Sequence, residues 1–162
     1  MSDSIAPVDT FENESIPSID GGGAVTYRNR YGVVHRTDGP AWVSGENKEW
    51  WVNGQLHRTD GPAVERNYGL KRWYIRGTLH REDGPASITS DGTKIWYFWG
   101  KRHRVNGPAI EYSDGIKEWY IKGRRHREDG PAIELPDGTG RWFLHDIEYT
   151  KIQWLDKLKE LT

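Results

Sequence analysis

One seven-residue phrase occurs five times: HRTDGPA from His35 and from His57, HREDGPA from His80, HRVNGPA from His103 and HREDGPA from His126. Successive histidines stand 22, 23, 23 and 23 residues apart. Seven residues before each of the last four lies an aromatic pair: Trp50-Trp51, Trp73-Tyr74, Trp96-Tyr97 and Trp119-Tyr120. Trp142-Phe143 keeps the same step. A fixed period of this length means one supersecondary unit stacked on copies of itself. A chain so built has an extended surface before it has a pocket.

Each period holds two turn signals. One precedes the histidine phrase, at Asn53-Gly54, Arg76-Gly77, Trp99-Gly100 and Lys122-Gly123. The other follows the next apolar stretch, at Asp91-Gly92, Asp114-Gly115 and Asp137-Gly138, with Tyr68-Gly69 as a variant. Asn-Gly and Asp-Gly between short apolar runs mark hairpins, because both central residues of a type I′ turn need φ > 0. Glu118–Ile121 reads as one strand and Pro131–Leu135 as its return. The predicted fold is an all-β repeat: an elongated single-layer antiparallel meander of stacked β-hairpins, two strands per unit, with a short C-terminal capping helix.

Three segments follow. Residues 1–23 hold five of the 24 acids and none of the 23 bases, and end in Gly21-Gly22-Gly23. They read as a disordered acidic tail on a flexible linker. Residues 24–149 are the array, and the chain beyond the tail carries +4 against a net charge of −1 for the whole. In residues 150–162, Ile152, Leu155, Leu158 and Leu161 recur every third position behind Thr150, a candidate N-cap. That pattern predicts an amphipathic helix laid over the end of the array.

Nine Trp and eight Tyr carry the apolar area in a chain poor in aliphatics. Alternation puts Trp50/Val52, Trp73/Ile75, Trp96/Phe98, Trp119/Ile121 and Trp142/Leu144 on one face. The other carries Trp51, Tyr74, Tyr97, Tyr120 and Phe143. The tryptophan face is expected to pack and the tyrosine face to stay open for contact.

From Asp114 to His126 the chain resembles the MORN repeat, a 23-residue hairpin unit with a DG turn, aromatic strand positions, a glycine turn and then a histidine. It is similar to the variant with HR-x-DGPA after the turn, a type common in phages and large viruses. The resemblance covers about residues 30–149. The usual His-Gly is His-Arg here, at Arg36, Arg58, Arg81, Arg104 and Arg127. The first unit has Arg28-Asn29 where the aromatic pair belongs, and the last has Asp146 and Tyr149 at the Gly and His positions. The resemblance implies a scaffold that binds proteins or lipids, with antitoxin-like inhibitors among bacterial forms.

The repeated phrase admits two readings. In one, Arg58, Arg81, Arg104 and Arg127 form an anion track for a nucleotide, nucleic acid or phospholipid headgroup, since guanidinium forks grip phosphate. In the other, each Arg pairs with the Asp two residues on, each His bonds across strands, and Gly-Pro sets a bend. The second is preferred. Motif histidines one unit apart lie about 9.5 Å from one another, too far to share a metal. Carboxylate pairs such as Glu82-Asp83 recur, whereas an active centre is unique, and no phosphate-loop or dinucleotide fingerprint occurs. No cofactor, metal site or catalytic residue is assigned. No apolar run is long enough to span a membrane, there is no cysteine, and a cytoplasmic location is expected. The reading is a non-enzymatic scaffold for a protein partner, of the inhibitor type. Its expected contacts are Trp51, Tyr74, Tyr97 and Tyr120 with the basic turns at Arg102 and Arg125. A structural part of an assembly is the third reading.

Overall fold

A computed structural model describes residues 14–160. Thirteen short strands form one open antiparallel sheet whose order follows the chain: Ile16–Ile19, Val25–Arg28, Trp42–Ser44, Asn47–Glu49, Val64–Glu65, Lys71–Arg72, Ser87–Ile88, Lys94–Ile95, Ile110–Glu111, Lys117–Glu118, Ile133–Glu134, Gly140–Leu144 and Ile147–Tyr149. Beside this sheet runs a second row of four two-stranded hairpins. These are Trp51–Val52 with Gln55–Leu56, Tyr74–Ile75 with Thr78–Leu79, Tyr97–Phe98 with Lys101–Arg102, and Tyr120–Ile121 with Arg124–Arg125. The meander is therefore elongated, single-layered and open, as the period predicts.

Each unit contributes four strand pieces rather than two. The strand read as continuous over Glu118–Ile121 divides at its tryptophan. The Trp119 N–H donates to the Ala132 carbonyl at 2.8 Å, and the next two residues then pair inside the side hairpin. Trp50, Trp73 and Trp96 donate likewise to Ala63, Ala86 and Ala109, each at 2.8 Å. A tryptophan N–H aimed at the next unit and a hairpin closing on itself cannot lie in one flat ladder.

The two turn signals are two different turns. At the hairpin tips both central residues have positive φ, 48° and 75° at Asn53-Gly54 and 51° and 88° at Lys122-Gly123, as type I′ requires. At Asp91-Gly92, Asp114-Gly115 and Asp137-Gly138 only the glycine does. There the Gly92 N–H returns to the Thr89 carbonyl at 3.0 Å and the Thr89 N–H reaches Thr93 at 3.0 Å, a type I turn closed by a glycine bulge. The aspartate acts as an acceptor: Asp137 Oδ1 takes the Thr139 N–H at 2.9 Å.

The N-terminal boundary moves. Ile16–Ile19 is a strand paired with Val25–Arg28, and the glycines form its turn rather than a linker. Asp20 Oδ1 accepts the N–H groups of Gly22 and Ala24, each at 2.9 Å. Of the acidic tail expected over residues 1–23, residues 1–13 lie outside the described residues. The register sets Pro17 opposite Tyr27, whose N–H goes to Ala41 on the far side at 2.7 Å. The missing proline N–H therefore falls on the free edge, where it discourages further strand pairing.

The packed side is the tyrosine side, the reverse of the expectation. One register column crosses the sheet through Val64, Arg72, Ser87, Ile95, Ile110, Glu118, Ile133 and Arg141. Val64, Ser87, Ile110, Glu118 and Ile133 in it are buried. Tyr120 and Phe143, two residues beyond that column, are buried with them. Ala109, Ile110 and Tyr120 form one cluster, and Ala132, Ile133 and Phe143 the next. The opposite column carries Lys48, Glu65, Lys71, Lys94, Glu111, Lys117 and Glu134, all partly or fully exposed.

Helix Lys151–Lys159 closes the C-terminal end. Thr150 and Gln153 form a reciprocal capping box, which satisfies two N–H groups at the helix start. Trp154, rather than the Ile152–Leu155–Leu158 stripe, is the anchor. It is buried, and its indole N–H donates to the Arg127 carbonyl at 3.1 Å. Ile152 and Leu155 are exposed, and Leu161 lies outside the described residues. Among the described residues no helix is long and apolar enough to cross a membrane.

Candidate binding face

On the tryptophan side each unit builds the same device. The guanidinium carbon of Arg58 lies 4.0 Å above the Trp50 ring, Arg81 4.1 Å above Trp73, Arg104 3.9 Å above Trp96 and Arg127 3.8 Å above Trp119. Arg36 covers Tyr27 at 4.0 Å. Tyr27 also gives its N–H to Ala41 and takes that of His35, as Trp50 does with Ala63 and His57. The first unit is thus complete, with a tyrosine one position before the place that spacing assigns to the aromatic pair. Such a cation over an aromatic face is worth about 0.5–2 kcal/mol, more as it is desolvated.

The same guanidinium is held from every other side. Arg81 Nε bonds Asp83 at 2.8 Å and its Nη1 bonds the Pro85 carbonyl at 3.4 Å. Arg58 and Arg127 add Glu65 and Glu134, at 3.1 and 3.2 Å. These arginines hold the carboxyls of Asp38, Asp60 and Asp83 below the usual carboxylate range, chiefly by the direct hydrogen bond. The motif glycine completes the sandwich. Its φ is ordinary at Gly84, but a Cβ there would stand 2.9 Å from the Arg81 guanidinium carbon. Arg104 has Asn106 in place of the aspartate and relies on Pro108 O at 3.1 Å and Glu111 at 2.8 Å. The arginines offered as an anion track, Arg58, Arg81, Arg104 and Arg127, are spent on their own units.

The histidines join one unit to the next. Nδ1 of His35, His57, His80 and His103 accepts the backbone N–H of Asn53, Arg76, Trp99 and Lys122 at 3.1–3.3 Å. Nδ1 must therefore be unprotonated for the stack to close. His126 breaks the pattern: its ring stacks on His145 at 4.1 Å and its Nε2 meets Glu128 at 3.0 Å. Among the described residues no three His, Asp or Glu side chains converge as metal ligands.

The expected contact residues fall in a different place. Tyr120 is buried and donates its hydroxyl to Glu118 at 2.6 Å. Arg125 Nε reaches the same carboxylate at 3.3 Å, and Arg102 lies 5.3 Å over the Tyr120 ring. Burial and the neighbouring Glu118 push the Tyr120 phenol up to about 12. The structure thus gathers Tyr120, Arg102 and Arg125 into one network that closes the C-terminal half of that face. Trp51, Tyr74 and Tyr97 stay half-buried, Trp51 donating its indole N–H to Glu49 at 2.7 Å.

The open relief is on the tryptophan side. Between successive DGPA loops lie clefts floored by the tryptophan and the residue two beyond it: Trp50 and Val52, Trp96 and Phe98, Trp119 and Ile121. Their walls are the exposed loop carboxylates. Sequence reasoning gave Phe98 to the packing face and Trp99 to a turn and did not weigh Val105, although each departs from the chain's own repeat and so was detectable.

The fold and this face define an open β-repeat array with a recurring cleft. Comparison of the sequence with family models and with curated proteins finds no match.

Proposed function

We propose that this chain is a non-catalytic MORN-like scaffold that binds a protein partner on its tryptophan face. One observation carries the reading: the same shallow cleft recurs along one face while the charged side chains beneath it are engaged within their own units. Repetition supports recognition of an extended macromolecular surface rather than chemistry at one centre. The guanidinium sandwiches argue against an anion track, because an arginine already bonded to Asp, a proline carbonyl and a ring has little left for phosphate. Sequestration of the partner, as an inhibitor or antitoxin-like protein does, is the mode of action that the family resemblance adds.

The test is affinity capture with the immobilised chain from cells of its own source, washed at low and at high salt. A protein partner is expected to survive the salt step, since an apolar-centred interface is weakly screened. Loss of all bound material at high salt, with nucleic acid in the low-salt eluate, would replace this reading by the anion-binding one.

A further inference from the structure

The repeats serve as controls for one another, and one unit fails to match. Position 98 is Phe where its counterparts are Val52, Ile75, Ile121 and Leu144. Position 99 is Trp where they are Asn53, Arg76, Lys122 and His145. Val105 stands where the chain has Thr37, Thr59, Glu82 and Glu128, and Asn106 where it has Asp38, Asp60, Asp83 and Asp129. The fold requires none of these, because the sibling units close without them. All four changes enlarge apolar surface or remove charge; Phe98, Val105 and Asn106 line one cleft, and Trp99 follows its floor residue in the chain. Phe98, Trp99 and Val105 are 45, 52 and 74% exposed. Trp99 moreover holds φ 46°, a left-handed conformation that a bulky residue adopts at a cost. Its ring is placed by stacking on His80, centroids 4.2 Å apart.

The cleft between loops Arg81–Pro85 and His103–Asn106 has a volume of about 740 Å³, against 550 and 520 Å³ for those at Trp50 and Trp119. Its floor is Trp96 and Phe98, and one wall is the uncharged pair Val105-Asn106. The other wall is acidic. Arg81 neutralises Asp83, and Arg104 is neutralised by Glu111, which leaves Glu82 as the surplus charge. Its carboxylate is 77% exposed and, among the described residues, reaches only towards His80, at 3.5 Å. An apolar floor beside an uncompensated carboxylate is complementary to an apolar side chain with a cation next to it.

Resting on the protein-binding reading above, we propose that this cleft is the docking site for a partner segment that sets an aromatic or aliphatic side chain against Phe98 and Val105 and a Lys or Arg against Glu82. Such an anchor is the centre of an interface, and the flanking repeats are its rim.

The repeat itself supplies a conservative variant. Phe98→Val, Trp99→Asn, Val105→Thr and Asn106→Asp combined install residues the chain already uses at equivalent places, so the fold is expected to persist with an unchanged melting profile. The probe is a labelled peptide with a Leu-Trp-Leu centre between lysines, read by fluorescence anisotropy against its counterpart between glutamates. The lysine peptide is expected to bind the parent chain at least about tenfold more tightly than the glutamate peptide, and the fourfold variant at least about tenfold more weakly. Glu82→Gln should weaken it about threefold and flatten its salt dependence. Val52→Phe, Asn53→Trp, Thr59→Val, Asp60→Asn and Thr37→Glu together should create a second site. The proposal is overturned if the lysine peptide fails to bind the parent, if the variant binds equally, or if sedimentation shows that the parent self-associates through this cleft and the variant does not. Capture of the same cellular partner by parent and variant alike would overturn this site while leaving the scaffold reading intact. Capture of no protein by the parent chain would overturn the scaffold reading itself.

Discussion

The two sides of the sheet use their aromatic residues in opposite ways. On the tryptophan side one arrangement recurs with each HR-x-x-GPA phrase: ring, guanidinium, glycine and, except at Asn106, aspartate. On the tyrosine side the corresponding residues are Trp51, Tyr74, Tyr97, Tyr120 and Phe143, and their burial deepens towards the helix. The copied side is made within a unit, so it looks the same wherever the unit sits. The graded side is made between units and depends on what the neighbours present. Tyr120 accepts from Arg102 of the preceding unit and shares Glu118 with Tyr112 and Arg125, whereas Trp51 meets Glu49. Periodicity alone therefore describes the first side well and the second poorly.

The largest test of that contrast is Tyr120→Ala. It empties the core cluster of Ala109 and Ile110 and removes a hydroxyl from a buried carboxylate. A loss of about 3–5 kcal/mol in urea unfolding is expected, in line with buried aromatic truncations. Trp73→Ala on the other side should lose clearly less, because its half-buried ring is covered by an arginine rather than by core. Equal losses would mean that the sides do not differ in kind.

A smaller effect tests the copied unit. Gly84→Ala at an ordinary φ would usually add about 0.4–1 kcal/mol of stability by restricting the unfolded chain. Here the new methyl would displace the Arg81 guanidinium from Trp73 and Asp83, so the sign should reverse to a loss of about 1–2 kcal/mol. In a double-mutant cycle with Arg81→Ala the two losses should not add, since both dismantle one sandwich. Additive losses would separate the glycine from the arginine and leave its occurrence in every unit without this cause.

What the sequence made legible follows the same division. The tips at Asn53-Gly54 and Lys122-Gly123 were readable because a turn type is a local property. So were the Arg–Asp pairing and the cross-strand role of the histidine, which lie within one phrase or one step of the period. The packed side was misread because alternation tells which residues share a face, not which face finds a partner. The Val64, Ile110 and Ile133 column comes from the return strand and decides it. The helix anchor was misread for a related reason: Trp154 sits off the leucine stripe and is selected by the Arg127 carbonyl it meets. Gly21-Gly22-Gly23 read as a linker because glycine permits a turn and a coil equally, and the choice rests on Asp20.

The smallest effects are electrostatic, and they divide the molecule by pH. Tyr120 is raised from 10.0 to about 12, first by burial and then by Glu118. Its neutral form is favoured by folding, so that contribution is whole below pH 10 and is lost as pH climbs from 10 towards 12. Asp91, in the turn beside Thr89, Thr93 and Ser113, is lowered from 3.8 to about 2 by their hydrogen bonds. Its charged form is favoured, so that contribution is whole above pH 4 and is lost as pH falls through about 2. Unfolding free energies measured across pH should therefore fall at both ends. Tyr120→Phe should remove the alkaline fall and spare the acid one, and Asp91→Asn the reverse. An alkaline fall that survives Tyr120→Phe would place the buried proton elsewhere in the Tyr112–Glu118–Arg125 network. Tyr112, raised by burial and by Glu118, is the next residue to substitute.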